Sequence, residues 1–242
     1  MTLTFLGTRG NIDIRSRRHF RHTATMVAHH RARIMIDCGA DWLRAAARLQ
    51  PSAIVVTHAH PDHADGLARG APCPVYASEH AWEKMRRWPI REARVLRPRT
   101  PTKIQGVSFE AFPVEHSIGT PAVGYRVACG RVTIFYVPDV LAIPDLDEAF
   151  AGIALYVGDG ATPVRPIVRR RDGVAIGHAS VATQIEWCAS EGVPRAIFTH
   201  CGTAVVRGGR SVEDRVERLG LAHGVAAEVA WDGRRVNPGR RW

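Results

Sequence analysis

Short runs of apolar, β-branched and aromatic residues recur along the chain, separated by turn residues, and the runs assign most of the elements. "LTFLG" predicts a first strand closed by Gly7. "TATMVAHH" and "ARIMIDCG" predict two strands of a hairpin around a basic tip at Arg31. "ADWLRAAARLQ" places Trp42, Leu43, Ala46 and Leu49 near helical spacing before Pro51, which predicts a helix. "SAIVVTH" is apolar without alternation, the pattern of a strand buried on both faces. "PVYAS" and "EHAWEKMRRW" predict a strand and a helix. "GVSFEAFPV", "AVGYRVAC" and "RVTIFYV" are three β-rich runs, the last two joined at a Cys129–Gly130 turn, and "IALYVGD" is a further strand.

The remainder alternates strand and helix. "SVATQIEWCASEG" predicts a helix capped by Ser180 and ended by Gly192. "RAIFTH" predicts a strand, and Ser211 with Asp214 offers a capping box for "VEDRVERLGLAHG". "AEVAWDGRRVN" predicts a hairpin turning at Asp232–Gly233. No linker, low-complexity tract or internal repeat interrupts residues 1–242, so one domain is expected. A strand-rich first half followed by alternating strand and helix suits a sheet sandwich with helices on its outer faces.

Composition adds exclusions. The 242 residues are 45% hydrophobic and 23% charged, ordinary for a globular protein with a large core. No stretch approaches a membrane span, and "MTLTFLGTRG" lacks a basic n-region and a signal-type apolar core, so a cytoplasmic location with no membrane partner is expected. The five cysteines, Cys38, Cys73, Cys129, Cys188 and Cys201, form no CxxC pair, which argues against a zinc knuckle or a disulfide framework. The net charge of +10 is almost all arginine, the only lysines being Lys84 and Lys103. Such a balance favours phosphate, nucleic acid or an anionic surface as partner. Basic residues concentrate at 15–33, 84–103, 165–171 and near the C-terminus, although single-sign clusters are ordinarily solvated loops.

The chemistry begins at "THAHPDHADG", where the apolar strand stops and a loop follows. A rigid strand end followed by a loop lets several side chains point to one place. The four ligand-type residues cannot all reach one metal without severe strain. They can divide, with His58 and His60 on one ion and Asp62 and His63 on its neighbour. Further ligand-type residues stand at other strand ends: His116 after "FPVE", Asp139 after "IFYVP" and His200 after "AIFT". One histidine after a strand is usually solvated, but the recurrence at four strand ends makes coincidence a poor explanation.

"THAHPDHADG" matches in full the HxHxDH motif of the metallo-β-lactamase fold superfamily, which the sequence resembles. "FLGTRG", "RHTATMV", "IMIDCGA", "EHSIGTPAVGYRV" and "IGHASVATQIEWCASEGVPRAIFTHCG" resemble the branch of RNase Z and the cyclic-phosphate phosphodiesterases, from about residue 3 to residue 202. The resemblance implies a four-layer αββα sandwich in the α/β (α+β) class, with the site at the sheet edges. It implies His58, His60 and His116 on a first metal, Asp62, His63 and His200 on a second, and Asp139 bridging them. Zn2+ is the first choice of ion and Mn2+ the second. A hydroxide bridging ions ~3.5–4 Å apart would be the nucleophile. Asp62 and His178 count as catalytic, and His178 in "GHAS" stands where the branch carries a non-ligand histidine that protonates the leaving oxygen or stabilises the phosphate.

Asp159 falls where relatives carry an acidic residue behind the site, fit to orient a ligand histidine. Asp37 reads as a loop-fixing carboxylate, and Cys201 is rejected as a ligand because strand neighbours point oppositely. His19, His22, His29 and His30 lie in a basic loop or hairpin, where histidines ordinarily bind nothing, although His19 or His22 could touch a substrate phosphate, and His80 and His223 read as ordinary surface helix residues. The chain departs from both arms of the branch. The interval 139–178 is too short for the long RNase Z arm, with "RPIVRRRDG" as a small basic substitute, and "NIDIRSRRHFRH" lacks the cysteines of the phosphodiesterase zinc insertion. The expected activity is therefore a dinuclear phosphodiesterase acting on a nucleotide-like or nucleic-acid diester, with RNA or single-stranded DNA as partner and a homodimer by analogy. Hydrolysis of a lactone, thioester or β-lactam is the alternative, and a metal-stabilised binding protein without turnover is the third reading. A basic rim is expected from Arg15, Arg17, Arg18 and Arg21 on one loop and Arg169, Arg170 and Arg171 on another.

Overall fold

The computed structural model describes residues 1–239. The first sheet takes β1 (Thr2–Gly7), β2 (Ala24–His29), β3 (Ala32–Ile36), β4 (Ala53–Val55), β5 (Val75–Ala77) and β6 (Ala93–Val95). The second takes β7 (Thr102–Ile104), β8 (Val107–Val114), β9 (Ala122–Cys129), β10 (Val132–Tyr136) and β11 (Leu155–Asp159). A separate hairpin follows, β12 (Ile167–Arg171) with β13 (Val174–His178). Then β14 (Arg195–Thr199) and β15 (Ala226–Val229) return to the second sheet, and β16 (Arg235–Val236) to the first.

Alternation decides the layers. In β2, Val27 faces inward to join Phe5, Tyr125 and Tyr136 between the two sheets, while Met26 faces outward beside Met35 and Trp42. The outer face of the first sheet is covered by α1 (Pro61–Ala64) and α2 (Glu79–Met85), through Ala64, Ala81 and Met85. The outer face of the second is covered by α3 (Leu146–Phe150), α4 (Val181–Ser190), α5 (Thr203–Gly208) and α6 (Arg210–Ala222), which pack on Phe135, Tyr156 and Phe198. This is the expected αββα sandwich. Among the described residues no helix is long and apolar enough to cross a membrane.

Strand direction gathers the ligand-type residues. In the second sheet β10, β11 and β14 run parallel, and β8 shares their direction because both pair antiparallel with β9. Their C-terminal ends therefore share one edge, where His116, Asp139 and His200 follow the strands and Asp159 closes β11. In the first sheet β3, β4 and β5 are parallel and deliver Asp37 and His58 in the same way. Ligands in parallel sheets characteristically sit beyond such carboxyl ends.

Three expectations are corrected. Residues 40–50 form two 3₁₀ turns, Ala40–Trp42 and Ala46–Leu49, and not an α-helix. Tertiary anchors hold this stretch: the Trp42 indole donates to the His22 carbonyl, and Asp41 accepts from Arg9 and from the His22 amide. The apolar spacing there reported burial of Trp42 and Ala46, and not a helix. The last helix starts at Arg210 with Gly209 as its cap, so the Ser211–Asp214 box does not form, and Asp214 pairs instead with Arg210 at 3.2 Å. The segment around Asp232–Gly233 is no hairpin, because β15 pairs with β14 and β16 with β1, so the chain crosses between sheets there. Asp232 accepts from Thr8 (amide and hydroxyl) and from the Phe20 and Arg21 amides at 2.7–3.0 Å, clamping the loop after β1.

That same loop buries His19, whose Nδ1 lies 2.8 Å from the Thr8 hydroxyl. Burial, with Arg18 nearby, pushes its pKa down to about 4. The unfolded chain, with an ordinary value near 6.5, therefore takes up the proton first as pH falls. His19 should thus make stability drop from about pH 6.5 toward pH 4, by up to roughly 3 kcal/mol. Urea titrations of the protein and of His19→Gln at pH 7.5 and pH 4.5 check this; an equal pH dependence in both would refute it. Its burial also removes His19 as a contact for a substrate phosphate.

Candidate metal centre

Beyond β4 the chain runs through Thr57 to His58, and His60 becomes the N-cap of α1 with Pro61 at the first helical position. That single turn brings Asp62 and His63 back beneath His58, with His58 and His63 wholly buried. His200 (φ 53°) and Asp37 (φ 61°) occupy left-handed backbone that residues other than glycine seldom adopt. Both stand just past strand ends at the centre, where such strain collects.

Two groups of donors form around one carboxylate. His58 Nε2 lies 2.9 Å from His60 Nδ1, which lies 3.4 Å from His116 Nε2. Asp139 Oδ2 is 3.1 Å from His58 Nε2 and 3.4 Å from His116 Nε2. In the other group Asp62 Oδ2 is 3.0 Å from His200 Nε2 and 3.4 Å from His63 Nε2. Asp139 reaches this group too, 3.2 Å from His63 Nε2 and 2.8 Å from His200 Nδ1. All seven residues singled out as metal ligands are thus brought together, with Asp139 between two sets of three.

The donor set fits a divalent cation. Within each group the donor atoms lie within 4.8 Å of one another. His63 Nε2, Asp139 Oδ1 and His200 Nδ1 are buried yet make no hydrogen bond of proper geometry, which is costly unless a cation engages the cluster. Imidazole with carboxylate is also the donor chemistry that zinc and manganese accept. Neighbours fix which nitrogen points inward. His63 Nδ1 faces Asp37 at 2.8 Å, and Asp37 also accepts from the Thr57 amide and hydroxyl. His116 Nδ1 faces the Gly177 carbonyl at 2.9 Å. Both rings therefore turn Nε2 to the centre. Asp37 fixes the loop as expected, and orients His63 as well.

His178 stands at the margin of this set, its Nδ1 3.7 Å from Asp139 Oδ1. Its Nδ1 lies 2.7 Å from Asp159 Oδ2, and its ring is 4.9 Å from that of His116 and 5.6 Å from that of His200. Asp159 further accepts from the Val140 and Ala161 amides and stands 3.6 Å from His200 Nδ1. These residues with Asp139 also lie close enough to hold an ion. The amide bonds on both Asp159 oxygens and the short contact to His178 instead describe an orienting carboxylate and a held imidazole. Burial pushes the His178 imidazolium down, and Asp159 with Asp139 outweighs it, so the net direction is upward. Burial pushes the Asp139 and Asp62 carboxyls up, and the surrounding imidazoles reverse this and hold both well below the usual carboxylate range. Burial pushes His60 down to about 4.

The profile of the beta-lactamase superfamily domain matches residues 32–201. The chain belongs to the beta-lactamase superfamily. Solved structures agree on the fold. A diphosphatase from the PhnP family superposes with a TM-score of 0.74 at 22% identity, covering 97% of this chain and 96% of that one. The short form of human tRNase Z superposes at 0.67 with 15% identity, covering 99% and 100%. An isothiocyanate hydrolase from Delia radicum gut bacteria superposes at 0.68 with 14% identity, covering 98% of each. No curated protein matches the sequence. The chain is a metal-dependent hydrolase by fold and donor set.

In this superfamily member the centre opens into a cleft of about 710 Å³. His60, His116, His178 and His200 line it, along with residues from the loop after β1, the β12–β13 hairpin and α5. Gly10 passes so close to His200 that a Cβ there would lie 3.0 Å from the ring. The "RPIVRRRDG" segment supplies β12 and the turn of the β12–β13 hairpin, and one face of that hairpin walls the cleft. The other half of the expected rim does not form. Arg15 pairs with Asp41, Arg18 pairs with Glu213 and stacks on Trp231, and Arg21 stacks on Trp42. Arg17 is not among the residues lining the cleft. Arg240 and Arg241 of the C-terminal basic group lie outside the described residues. His22 contacts Asp41 at 3.2 Å, His29 and His30 pack on each other at the β2–β3 turn, and His80 and His223 are exposed. Cys201 is buried and free, as are Cys38, Cys129 and Cys188. Arg207, Asn11 and Ile12 line the cleft without having been foreseen. Arg207 carried no signal because α5 has neither a side-chain cap nor a long apolar stripe.

Proposed function

We propose that this hydrolase is a phosphodiesterase holding two divalent cations, zinc first and manganese second, and acting on nucleotide-like or nucleic-acid phosphodiesters. The observation that carries the reading is His178, a non-ligand imidazole fixed by Asp159 and lining the cleft beside the donor cluster. Attack on a phosphodiester expels an alkoxide, which needs a proton, and a positioned imidazole supplies one. His58, His60, His116 and Asp139 would hold one cation, and Asp62, His63, His200 and Asp139 the other. Bound there, the cations supply Lewis acidity toward the phosphoryl oxygens and make water a competent nucleophile near neutral pH. Asp37 and the Gly177 carbonyl keep the His63 and His116 rings turned inward. Asp159 occupies Nδ1 of His178, so Nε2 is the nitrogen free to donate toward a leaving oxygen. Ile12, Ile167 and Ile176 give the cleft an apolar lining that strengthens these charges on a bound substrate. A cytoplasmic location, where thiols stay reduced, agrees with the five free cysteines.

Metal content follows from the two donor sets. Elemental analysis of protein purified without added metal should find two ions per chain. A reproducible single ion, with Asp62 and His200 unliganded in a crystal, would reject the two-ion arrangement. The activity itself is tested with bis-p-nitrophenyl phosphate, a homoserine lactone, nitrocefin and an isothiocyanate. Turnover of the phosphodiester well above the others supports the reading. Preference for the lactone, nitrocefin or the isothiocyanate replaces it with hydrolysis of a non-phosphate bond, and no turnover on any leaves a binding protein.

A further inference from the structure

We infer that Ile167 and Ile176, which flank His178 on one face of the β12–β13 hairpin, form the subsite for the leaving group, so that the alcohol expelled from the preferred diester is apolar. This rests on the phosphodiesterase reading and deepens it, since it names the side of the diester that is read by apolar contact. Hydrolysis adds the oxygen of water to phosphorus, breaks the bond to the leaving oxygen and moves a proton from His178 Nε2 onto that oxygen. A proton given up by the water restores the imidazole, and the products are a phosphomonoester and a free alcohol. The leaving oxygen therefore lies at His178 Nε2, and the group attached to it meets whatever surrounds that ring.

Register decides what surrounds it. In the hairpin Ile167 pairs with His178 and Arg169 with Ile176, so these four side chains share one face. All four line the cleft, whereas Val168, Arg170 and Ala175, which alternate with them, do not. Ile167 stands directly across from His178, about 5 Å away between Cβ atoms, and Ile176 one two-residue step along the same strand, about 7 Å away. Ile12, from the loop after β1, adds a third isoleucine to the lining, its carbonyl held by the buried Arg9 guanidinium. The fold itself leaves this surface uncovered. Ile167, Ile176 and, further along the same face, Val174 belong to none of the packed cores, and Ile167 and Val174 are 40% and 52% exposed. The polar side chains of the lining, Asn11, Ser117, Thr162 and Thr203, stand on other elements, and Thr162 donates its hydroxyl to the Arg165 carbonyl. Arg169 and Arg207 line the cleft and no carboxylate does, so a cationic alcohol is disfavoured there. An uncharged, apolar alcohol suits the surroundings of His178, because it removes from water the isoleucines that the fold leaves exposed.

Thymidine 5′-phosphate esters of ethanol, butanol and hexanol test this, because their leaving alkoxides are nearly equally basic and differ in apolar length. The metal-loaded full chain should release thymidine 5′-monophosphate with a kcat/KM that rises roughly two- to fourfold for each added methylene, the effect of burying one partly or fully. The ester of diethylene glycol, of the same length as hexyl but polar, should be cleaved more slowly than the hexyl ester. Ile167→Ser with Ile176→Ser should flatten the series, while Ile167→Leu with Ile176→Leu keeps its slope. Val168→Ser, on the other face, should leave the series as in the parent. Thermal melting checks that the variants are folded; should the double serine variant not fold, Ile167→Ser, altered only at an exposed position, is read in its place. A flat series in the parent, a slope kept in the serine variant, or release of thymidine and alkyl phosphate in place of thymidine 5′-monophosphate overturns the subsite while the phosphodiesterase reading stands. If no ester is cleaved, calorimetry with hexylphosphonate and methylphosphonate decides. Tighter binding of hexylphosphonate that the serine variant loses supports the apolar subsite though the reading has failed, and equal binding of the two overturns it.

Discussion

Asp139→Ala should emerge without its full complement of metal and should hydrolyse substrate more than about 100-fold slower, beyond the 10–100-fold that loss of an orienting neighbour costs. The carboxylate is 3% exposed and stands within 3.4 Å of four imidazoles, those of His58, His63, His116 and His200. It is the one group the two donor sets share. Without it two cations would sit in a buried site with Asp62 as the only anion among the donors, and burying charge without a counter-charge is strongly unfavourable. Asp139→Asn separates shape from charge, because the amide keeps the volume and loses the negative charge. Both variants should bind fewer ions by elemental analysis, with the asparagine variant the less impaired. Circular dichroism should show the sheet content kept, since Asp139 follows β10 and pairs with no strand. A fully loaded Asp139→Ala protein with activity within tenfold of the parent would show that the two groups do not share this carboxylate.

The centre was legible in the sequence because parallel strands end at one edge of a sheet, so each apolar run stopping on a histidine or aspartate points to the same place. Asp37 and Asp159 were legible for the same reason, as acids at strand ends, although only the structure pairs Asp159 with His178 at 2.7 Å. What stayed hidden has physical causes. Helical spacing in 40–50 reported which residues are buried, and burial of Trp42 is compatible with 3₁₀ turns once Asp41 and Trp42 are anchored by distant groups. Asp232–Gly233 signalled a turn correctly, but a turn signal carries no information about which sheet receives the next strand. The β12 strand is exposed throughout, so it had no in–out alternation to read. Counting arginines gave a charge but not its partners; aromatic rings and acids absorb Arg15, Arg18 and Arg21, and the cleft keeps Arg169 and Arg207.

His178→Ala should keep both metals and the fold and still lose rate, by an amount set by the leaving group. The ring has its Nδ1 3.7 Å from Asp139 Oδ1, farther than the 3.1 Å and 3.2 Å at which His58 and His63 approach Asp139, and that nitrogen is taken by Asp159 at 2.7 Å. Removing it therefore leaves every proposed ligand in place, and metal content by elemental analysis should match the parent. A general acid typically contributes 10²–10⁴-fold. That contribution should be nearly whole for a diester that expels an alkoxide, because an alkoxide is too basic to leave unprotonated. It should shrink to about tenfold or less for p-nitrophenolate, which departs as an anion without help. Asp159→Asn should show the same dependence in weaker form, since the amide still holds the ring but no longer supports its positive charge; its bonds to Val140 and Ala161 make a check of thermal stability necessary. Equal losses on both leaving groups would mean that His178 only shapes the cleft. Loss of metal in His178→Ala would make it a ligand, with Asp159, Asp139 and His200 as the companions that the geometry already offers.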